Sequence, residues 1–202
     1  MQNQKINTFI FDCFGVILKP FIGGWHKDKR EKYGLVDENL ESTLKKFDLG
    51  QLSEDNLLDY FLNYDIVTLS KEDLRNEIDS YLEIDHNLVR IIQNLRKQDF
   101  KVGLLSNANH TFFDRKVFPT YPDFKSLFDE IVISSIVGMI KPEDDIYLHA
   151  LQKLNVKPEE AIFIDDAEAN VKTAIKLGIG GYVYTDAASF GDYLRCIDVS
   201  LE

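Results

Sequence analysis

Six polar side chains follow short apolar runs of the sequence, and their types can carry out chemistry. In chain order they are Asp12, Ser106, Asn107, Lys141, Asp165 and Asp166. Three carboxylates brought together repel one another, and they are costly to desolvate unless a cation lies among them. Because the set offers oxygen ligands and no cluster of histidines and cysteines, it favours a hard cation, Mg²⁺ rather than Zn²⁺.

The other groups of this set suit a phosphate. Lys141 and Mg²⁺ together would neutralise phosphate oxygens, while the Ser106 hydroxyl donates a hydrogen bond. A carboxylate can then attack phosphorus as a nucleophile and form an aspartyl-phosphate, which water later hydrolyses. The residues therefore predict Mg²⁺-dependent phosphoryl chemistry, provided that the fold brings them together.

The apolar runs predict strands. Each is short, rich in Ile, Val and Phe, and ends at small or polar residues, as is typical of strands buried on both faces. The runs are Phe9–Phe11, Val102–Leu105, Ile131–Ile133 and Ala161–Ile164, with Tyr182–Tyr184 as a weaker fifth candidate. Amphipathic helical patterns lie between them, which favours an α/β fold with a doubly wound, parallel, Rossmann-like sheet. The ligand crevice of such a sheet lies at the carboxyl ends of its strands.

The segment between the first two strands is far longer than a crossover requires. One helix of about 12 residues completes a parallel crossover, whereas residues 18–85 hold several helical patterns and no convincing strand. The patterns cover Leu40–Phe47, Leu57–Leu62 and Leu74–Leu82, and Ser70 begins a capping box before the third. We therefore expect a helical cap subdomain over residues 18–85, inserted into an α/β core formed by residues 1–17 and 86–202.

Composition and charge exclude several classes of protein. The chain of 202 residues is 45% hydrophobic and 28% charged, which is globular rather than disordered or fibrous usage. Its 23 basic and 34 acidic residues give a net charge of −11, which disfavours nucleic acid and anionic membranes as partners. Two cysteines cannot build a disulfide framework, and neither a signal peptide nor a membrane span is evident. We expect a cytoplasmic protein, monomeric or homodimeric, that acts on a small molecule.

These clusters resemble the four motifs of the haloacid dehalogenase-like (HAD) hydrolase superfamily, and the resemblance spans nearly the whole chain. The matching segments are Phe9–Val16, Leu104–Asn107, Lys141–Pro142 and Phe163–Asp166, the last followed by Asn170, Ala174 and Gly178. The resemblance implies a small phosphorylated metabolite as substrate. It also implies a small helical cap, like that of the phosphoglycolate-phosphatase-like and sugar-phosphatase-like members.

The resemblance also implies a role for each matching residue. Asp12 corresponds to the catalytic nucleophile, and Lys141 to the lysine that steadies both the nucleophile and the phosphate. Ser106 and Asn107 would bind the phosphoryl group. The implied ligands of Mg²⁺ are the Asp12 carboxylate, the Phe14 backbone carbonyl and Asp166, with Asp165 coordinating directly or through water.

Phe14 departs from the family pattern. Most phosphatases of the family carry a second Asp at this position, which protonates the leaving group and then activates water. Without a general acid the rate falls by about 10²–10⁴. Two hypotheses would restore activity. The substrate can carry a good leaving group, as a sugar 1-phosphate or an acyl phosphate does, or a cap residue can replace the acid, with His26 the nearest candidate by sequence.

Three functions remain open at the level of sequence. The first is a Mg²⁺-dependent phosphomonoesterase. The second is a catalytically weak or inactive HAD-like ligand-binding or regulatory protein, which the residue at Phe14 suggests. The third is a 2-haloacid dehalogenase, which also uses an Asp nucleophile but needs no metal and does not favour the second acid of the Asp165–Asp166 pair.

Overall fold

The computed structural model describes residues 6–200, so both ends of the predicted core, residues 1–5 and 201–202, lie outside the described residues. Five parallel strands form one sheet in the order β3-β2-β1-β4-β5. They are β1 Thr8–Phe11, β2 Lys101–Ser106, β3 Glu130–Ile133, β4 Ala161–Asp165 and β5 Gly180–Val183. The strand order reverses on either side of β1, which confirms the predicted doubly wound sheet.

Helices fill the connections between the strands. They are α1 Phe21–Tyr33, α2 Leu40–Asp48, α3 Glu54–Leu62, α4 Lys71–Asp79, α5 His86–Lys97, α6 His110–Phe112, α7 Phe118–Thr120, α8 Ser134–Val137, α9 Asp144–Leu154, α10 Glu168–Lys176 and α11 Ala187–Cys196. A π-helical turn, Phe113–Val117, joins α6 to α7, and 3₁₀ turns cover Phe124–Leu127 and Pro158–Glu160. Among the described residues, no helix combines the length and the apolar character that crossing a bilayer requires.

Both faces of the sheet are covered by apolar side chains. On one face, Phe9 and Phe11 belong to a buried cluster that extends to α5, α11 and the helices between β1 and α5. On the other face, Ile10 and Phe163 pack with the buried stripes of α9 and α10. Continuous apolar sequence is therefore needed in the central strands β1 and β4, because each of their residues is buried whichever way its side chain points.

The sheet register brings the polar strand ends together. Phe11 pairs with Leu104 of β2 and with Ile164 of β4, so Asp12 follows at the level of Asp165. The Asp12 backbone N–H donates to the Ile164 carbonyl at 2.8 Å, which extends the β1–β4 pairing by one residue. The strand alignment alone thus places the residues after β1, β2 and β4 at one edge of the sheet.

The long segment after β1 is helical, as the patterns predict, and consists of α1–α4. Ser70 caps α4 by accepting a hydrogen bond from the Asp73 N–H at 3.1 Å, as its capping-box pattern predicts. Helix α1 was not predicted, because the pair Gly23-Gly24 lowers helix propensity at its start. The fold uses this small residue pair, since a Cβ at Gly24 would lie 3.1 Å from the Tyr81 ring.

The two chain connections to these helices run side by side. Leu18 forms an antiparallel bridge with Ile84. The Lys19 N–H donates to the Glu83 carbonyl at 2.9 Å, and the Asp85 N–H donates to the Ile17 carbonyl at the same distance. The chain therefore leaves and rejoins the sheet-bearing part at one place, and the expected boundaries near residues 18 and 85 stay a prediction.

Candidate active site

Lys141 lies at the centre of the polar residues that follow β1 and β4. Its Nζ donates to Asp12 Oδ1 at 2.5 Å and to Asp165 Oδ2 at 2.8 Å. All three residues are almost completely buried, with 4%, 6% and 0% of their surfaces exposed for Lys141, Asp12 and Asp165. When both carboxylates are ionised, the single ammonium leaves this buried group with a net negative charge.

Asp166 completes what we call the sheet-end cluster, defined as Asp12, Lys141, Asp165 and Asp166. Its carboxylate, with those of Asp12 and Asp165, offers ligand oxygens that lie within 4.8 Å of one another. Burial raises the pKa of Asp12, and the nearby Asp165 charge adds to the rise although Lys141 opposes it. A divalent cation would relieve this excess of negative charge, and three oxygen donors fit Mg²⁺.

Gly15 allows Asp166 to approach the loop after β1. Its φ of +97° is a left-handed conformation that favours glycine. A Cβ at this position would lie 2.3 Å from Asp166 Oδ2, which is closer than two non-bonded atoms can come. The glycine therefore keeps the Asp166 carboxylate next to the loop that carries Asp12 and Phe14.

Asp165 is held by three donors. Its Oδ1 accepts from the Ala167 N–H at 2.8 Å, and its Oδ2 accepts from Asn170 Nδ2 at 2.9 Å as well as from Lys141. A carboxylate with both oxygens engaged cannot turn away, so Asp165 orients the ammonium of Lys141. Its predicted contact with the metal, direct or through water, stays a prediction.

Asn107 holds the backbone of Lys141. Its Nδ2 donates to the Lys141 carbonyl at 2.9 Å, while the Lys141 N–H donates to its Oδ1 at 2.8 Å. This pair of hydrogen bonds joins the end of β2 to the segment carrying Lys141, which gives Asn107 a positioning function that the sequence did not indicate. Its predicted contact with phosphate stays a prediction.

Ser106 ends β2 with its hydroxyl buried. The Cys13 thiol is its neighbour, and burial raises the pKa of that thiol. Among the described residues, the Ser106 hydroxyl makes no hydrogen bond of good geometry. A buried hydroxyl without a strong protein partner is costly, and its need for one fits the predicted hydrogen bond to a phosphate oxygen.

A cavity of about 190 Å³ lies beside the sheet-end cluster, between the strand ends and helices α1 and α2. Its walls are mainly aromatic and aliphatic. They include Phe14, Phe21, Leu44, Phe47, Asp48, Asn107 and Phe112. Asp48 is the only charged residue among the described residues that line it. The space next to the cluster thus suits an apolar group better than a second phosphate.

The Phe14 ring is part of an aromatic group on this wall. Its centroid lies 5.2 Å from that of Phe21 and 6.1 Å from that of Phe112, and those two rings stack on each other at 3.7 Å. The side chain at the position of the family's second Asp therefore faces the cavity but cannot move a proton. The carbonyl contact of Phe14 with the metal stays a prediction.

Asp48 is a residue that sequence reasoning missed. It is the last residue of α2 and lines the cavity together with residues from the strand ends. Burial raises its pKa to about 7, while the Lys141 charge lowers it and the Asp12 charge raises it. An acidic residue at a helix end is ordinary in sequence, and only the way α2 packs against the strand ends shows its position.

His26 lies elsewhere. It is buried on α1, where its ring packs edge-on against Tyr64 with centroids 6.2 Å apart. Burial lowers the pKa of His26, and the neighbouring Asp37 carboxylate partly opposes this. It is not among the residues lining the cavity. The structure therefore does not bring His26 together with Asp12 and Lys141, because α1 turns this side chain towards Tyr64 and Asp37.

Comparison with known proteins identifies the family. A family model of haloacid dehalogenase-like hydrolases matches residues 6–178. The chain is 27% identical over 210 residues to flavin mononucleotide hydrolase 1 of Arabidopsis thaliana, covering 99% of this chain and 81% of that protein. It is 26% identical over 207 residues to pyrophosphatase PpaX of Bacillus cereus, covering 91% of this chain and 89% of that protein.

A solved structure has the same fold. A HAD family enzyme from Bacteroides thetaiotaomicron superimposes with a TM-score of 0.76 at 23% identity, over 95% of this chain and 99% of that one. The Bacteroides enzyme is also known as a magnesium complex, which superimposes with a TM-score of 0.74 at 24% identity, over 94% of this chain and 98% of that one. With the family model covering most of its length and the motif residues gathered at the strand ends, this chain belongs to the haloacid dehalogenase-like hydrolases.

Proposed function

We propose that the protein is a Mg²⁺-dependent phosphomonoesterase acting on small phosphorylated metabolites through an aspartyl-phosphate on Asp12. The observation that carries the proposal is the buried contact of Lys141 with Asp12 beside two further carboxylates. The names of the Arabidopsis and Bacillus relatives, a hydrolase of flavin mononucleotide and a pyrophosphatase, support phosphoryl chemistry. So does a complex of the Bacteroides enzyme with magnesium and inorganic phosphate.

Asp12 would act as the nucleophile. Its Oδ1 accepts from Lys141, which leaves Oδ2 to attack phosphorus. The phosphorus–oxygen bond of the ester breaks as the Asp12–phosphorus bond forms, and hydrolysis of the aspartyl-phosphate then regenerates the carboxylate. Ser106 would donate a hydrogen bond to a phosphate oxygen, and Lys141 would offset the negative charge of both phosphate and nucleophile.

Mg²⁺ would be held by Asp12, Asp166 and the Phe14 carbonyl, with Asp165 contributing directly or through water. When bound, the ion neutralises the carboxylates and polarises the phosphate. Asn107 and Asp165 contribute by keeping Lys141 in place, since they hold its backbone and its ammonium.

The alcohol part of the substrate would occupy the cavity beside the sheet-end cluster. The apolar walls favour an alcohol with an aromatic or aliphatic face. Since Phe14 supplies no acid, substrates with good leaving groups, such as sugar 1-phosphates and acyl phosphates, are proposed to react fastest. We also propose that the protein is cytoplasmic and acts as a monomer or a homodimer.

Phosphate release across a panel of phosphorylated metabolites tests the function. The panel includes sugar 1-phosphates, acyl phosphates and an activated aryl phosphate, with Mg²⁺ and with EDTA, for the wild type and Asp12→Asn. Turnover that needs Mg²⁺ and is lost in Asp12→Asn is expected. Binding of Mg²⁺ and phosphate without turnover would instead favour a regulatory protein, and halide release from 2-haloacids in EDTA would favour a dehalogenase.

A further inference from the structure

Two features of the cavity next to the sheet-end cluster point to the same missing group. Phe14 presents a ring where most phosphatases of the family present a carboxyl, and Asp48 of helix α2 is the only charged residue among the described residues that line the same cavity. We propose that Asp48, at the end of helix α2, is the general acid and base of this site. The inference rests on the proposed phosphomonoesterase function, and it replaces His26 as the source of the proton.

The end of α2 is fastened to the residues that follow β2 and β3. Asn109 Nδ2 donates to the Phe47 carbonyl at 3.0 Å and to the Leu52 carbonyl at 3.2 Å. The Ser134 hydroxyl donates to the Asp48 carbonyl at 2.5 Å. These bonds hold the backbone on both sides of the Asp48 side chain. A catalytic acid needs such a fixed position, because proton transfer requires hydrogen-bond distance to the reacting oxygen.

The position of Asp48 suits the leaving oxygen of a phosphate ester. Asp48 lines the cavity together with Phe14, which lies two residues after Asp12, and Asn107, which follows Ser106 directly. A substrate with its phosphorus at Asp12 and its alcohol part in the cavity would have its bridging oxygen between these two places. Asp48 would then face that oxygen from the α2 side.

The surroundings of Asp48 let both protonation states occur near neutral pH. Burial raises the pKa of Asp48 to about 7. The Asp12 charge adds to this rise, and the Lys141 charge opposes it. These two groups face it from the strand ends, while Lys45 on its own helix pairs with Glu143 at 3.4 Å. An acid and base works best when its pKa lies near the working pH.

Each half of the reaction then balances. As Asp12 Oδ2 bonds to phosphorus, the ester bond breaks, and the proton of Asp48 goes to the departing oxygen to give the alcohol. The Asp48 carboxylate next takes a proton from a water molecule, whose oxygen bonds to phosphorus. The Asp12–phosphorus bond breaks, which releases inorganic phosphate and restores both the Asp12 carboxylate and the Asp48 carboxyl.

Leaving-group dependence separates this proposal from the idea that the substrate needs no acid. We would compare benzyl phosphate with 4-nitrophenyl phosphate, because both place an aromatic ring in the cavity but only the second has a leaving group that departs unprotonated. In Asp48→Asn, kcat/KM for benzyl phosphate should fall by about 10²–10⁴, whereas kcat/KM for 4-nitrophenyl phosphate should change less than about tenfold.

Glu41→Gln is the matched control, since Glu41 is an exposed carboxylate on the same helix. It should leave both substrates unaffected. Calorimetry would measure the binding of inorganic phosphate in the presence of Mg²⁺. Its dissociation constant in Asp48→Asn should stay within about twofold of the wild-type value, because the sheet-end cluster is intact. If Asp48→Asn lowers the thermal midpoint of unfolding, the same two substrates would be compared in Asp48→Ser instead.

Equal losses for both esters, or no loss for benzyl phosphate, would overturn the role of Asp48 while leaving the phosphomonoesterase intact. A wild-type protein that hydrolyses neither ester nor any metabolite of the panel would instead overturn the proposed function, and this inference with it.

Discussion

The sheet-end cluster and the cavity beside it are built in opposite ways. The cluster gathers three carboxylates and an ammonium, and Asp165 and Lys141 each bind several polar partners. The cavity is aromatic and aliphatic, with Asp48 as its single charge among the described residues. The difference separates two tasks. Charge is concentrated where the phosphoryl group would react, whereas, under the proposed function, the apolar cavity would select the alcohol part.

The two regions also differ in where their residues come from. In the cluster, Asp12, Asp165 and Asp166 end strands or follow them directly, so the sheet positions them, while Asn107 at the end of β2 holds the backbone of Lys141. The cavity wall combines Phe14 with side chains from α1, α2 and α6, whose placement depends on how helices pack. Substitutions in the cluster should therefore affect chemistry on every substrate, while those in the cavity should depend on the substrate.

The largest effect is expected from Asp12→Asn. Loss of the nucleophile should lower turnover by at least about 10³ on every phosphate ester. Without metal, its thermal midpoint should equal or exceed that of the wild type, because one of the mutually repelling carboxylates is gone. Phosphate release and a thermal melt in EDTA measure the two quantities. Substrate-selective loss would show that cluster and cavity are not separate in function.

Lys141→Met should be the most destabilising change in the cluster. It leaves the buried Asp12 and Asp165 carboxylates without their ammonium, which costs about 3–5 kcal/mol of unfolding free energy. Lys45→Met is the control, since its exposed pair with Glu143 at 3.4 Å is worth at most about 1 kcal/mol. Urea denaturation without metal compares them. If the two variants lost similar amounts of unfolding free energy, the buried contacts of Lys141 would not be more stabilising than the exposed pair of Lys45.

Gly15→Ala should weaken Mg²⁺ binding. The added Cβ would displace the Asp166 carboxylate, and such changes next to a metal ligand lower affinity by about 10–100-fold. Gly34→Ala is matched to it, because Gly34 also has a positive φ, +68°, but open space around its Cα. Calorimetric titration with Mg²⁺ should show weaker binding only for Gly15→Ala. Unchanged affinity would argue against Asp166 as a ligand.

The smallest effect is expected from His26→Gln. Since His26 packs against Tyr64 rather than lining the cavity, kcat/KM for benzyl phosphate should stay within about twofold, and stability should change by about 1 kcal/mol or less. Steady-state kinetics of His26→Gln and Asp48→Asn, measured in parallel, compares the two effects. If kcat/KM for benzyl phosphate fell as far in His26→Gln as in Asp48→Asn, His26 would again be a candidate for the general acid.

The sequence predicts the cluster better than the cavity for a physical reason. Parallel strands align their carboxyl ends, so a polar residue after each apolar run falls at one edge whatever the helices do. Asp48 depends instead on the contacts of Asn109 and Ser134 with α2, which join residues distant in sequence. Helix α1 was missed because Gly23-Gly24 weakens its pattern.

Side-chain function within a predicted motif is also set by distant contacts. Asn107 was predicted as a phosphate ligand from its place in the second motif. In the structure its amide bonds to the Lys141 backbone, 34 residues away. Neither the type of residue nor its spacing shows which group an amide side chain will hydrogen-bond. The fold can therefore be predicted more fully than the function of each residue in the site.

The paired connections at Leu18 and Ile84 have a consequence for how such proteins diversify. Because the chain leaves and rejoins the sheet at a single point, replacing the α1–α4 segment with another would leave the strand connections unchanged. Under the role proposed for Asp48, one recombination event would replace the alcohol-binding wall and the proton donor together. Selectivity and acid–base chemistry would then be inherited as one unit, while the nucleophile stays with the core.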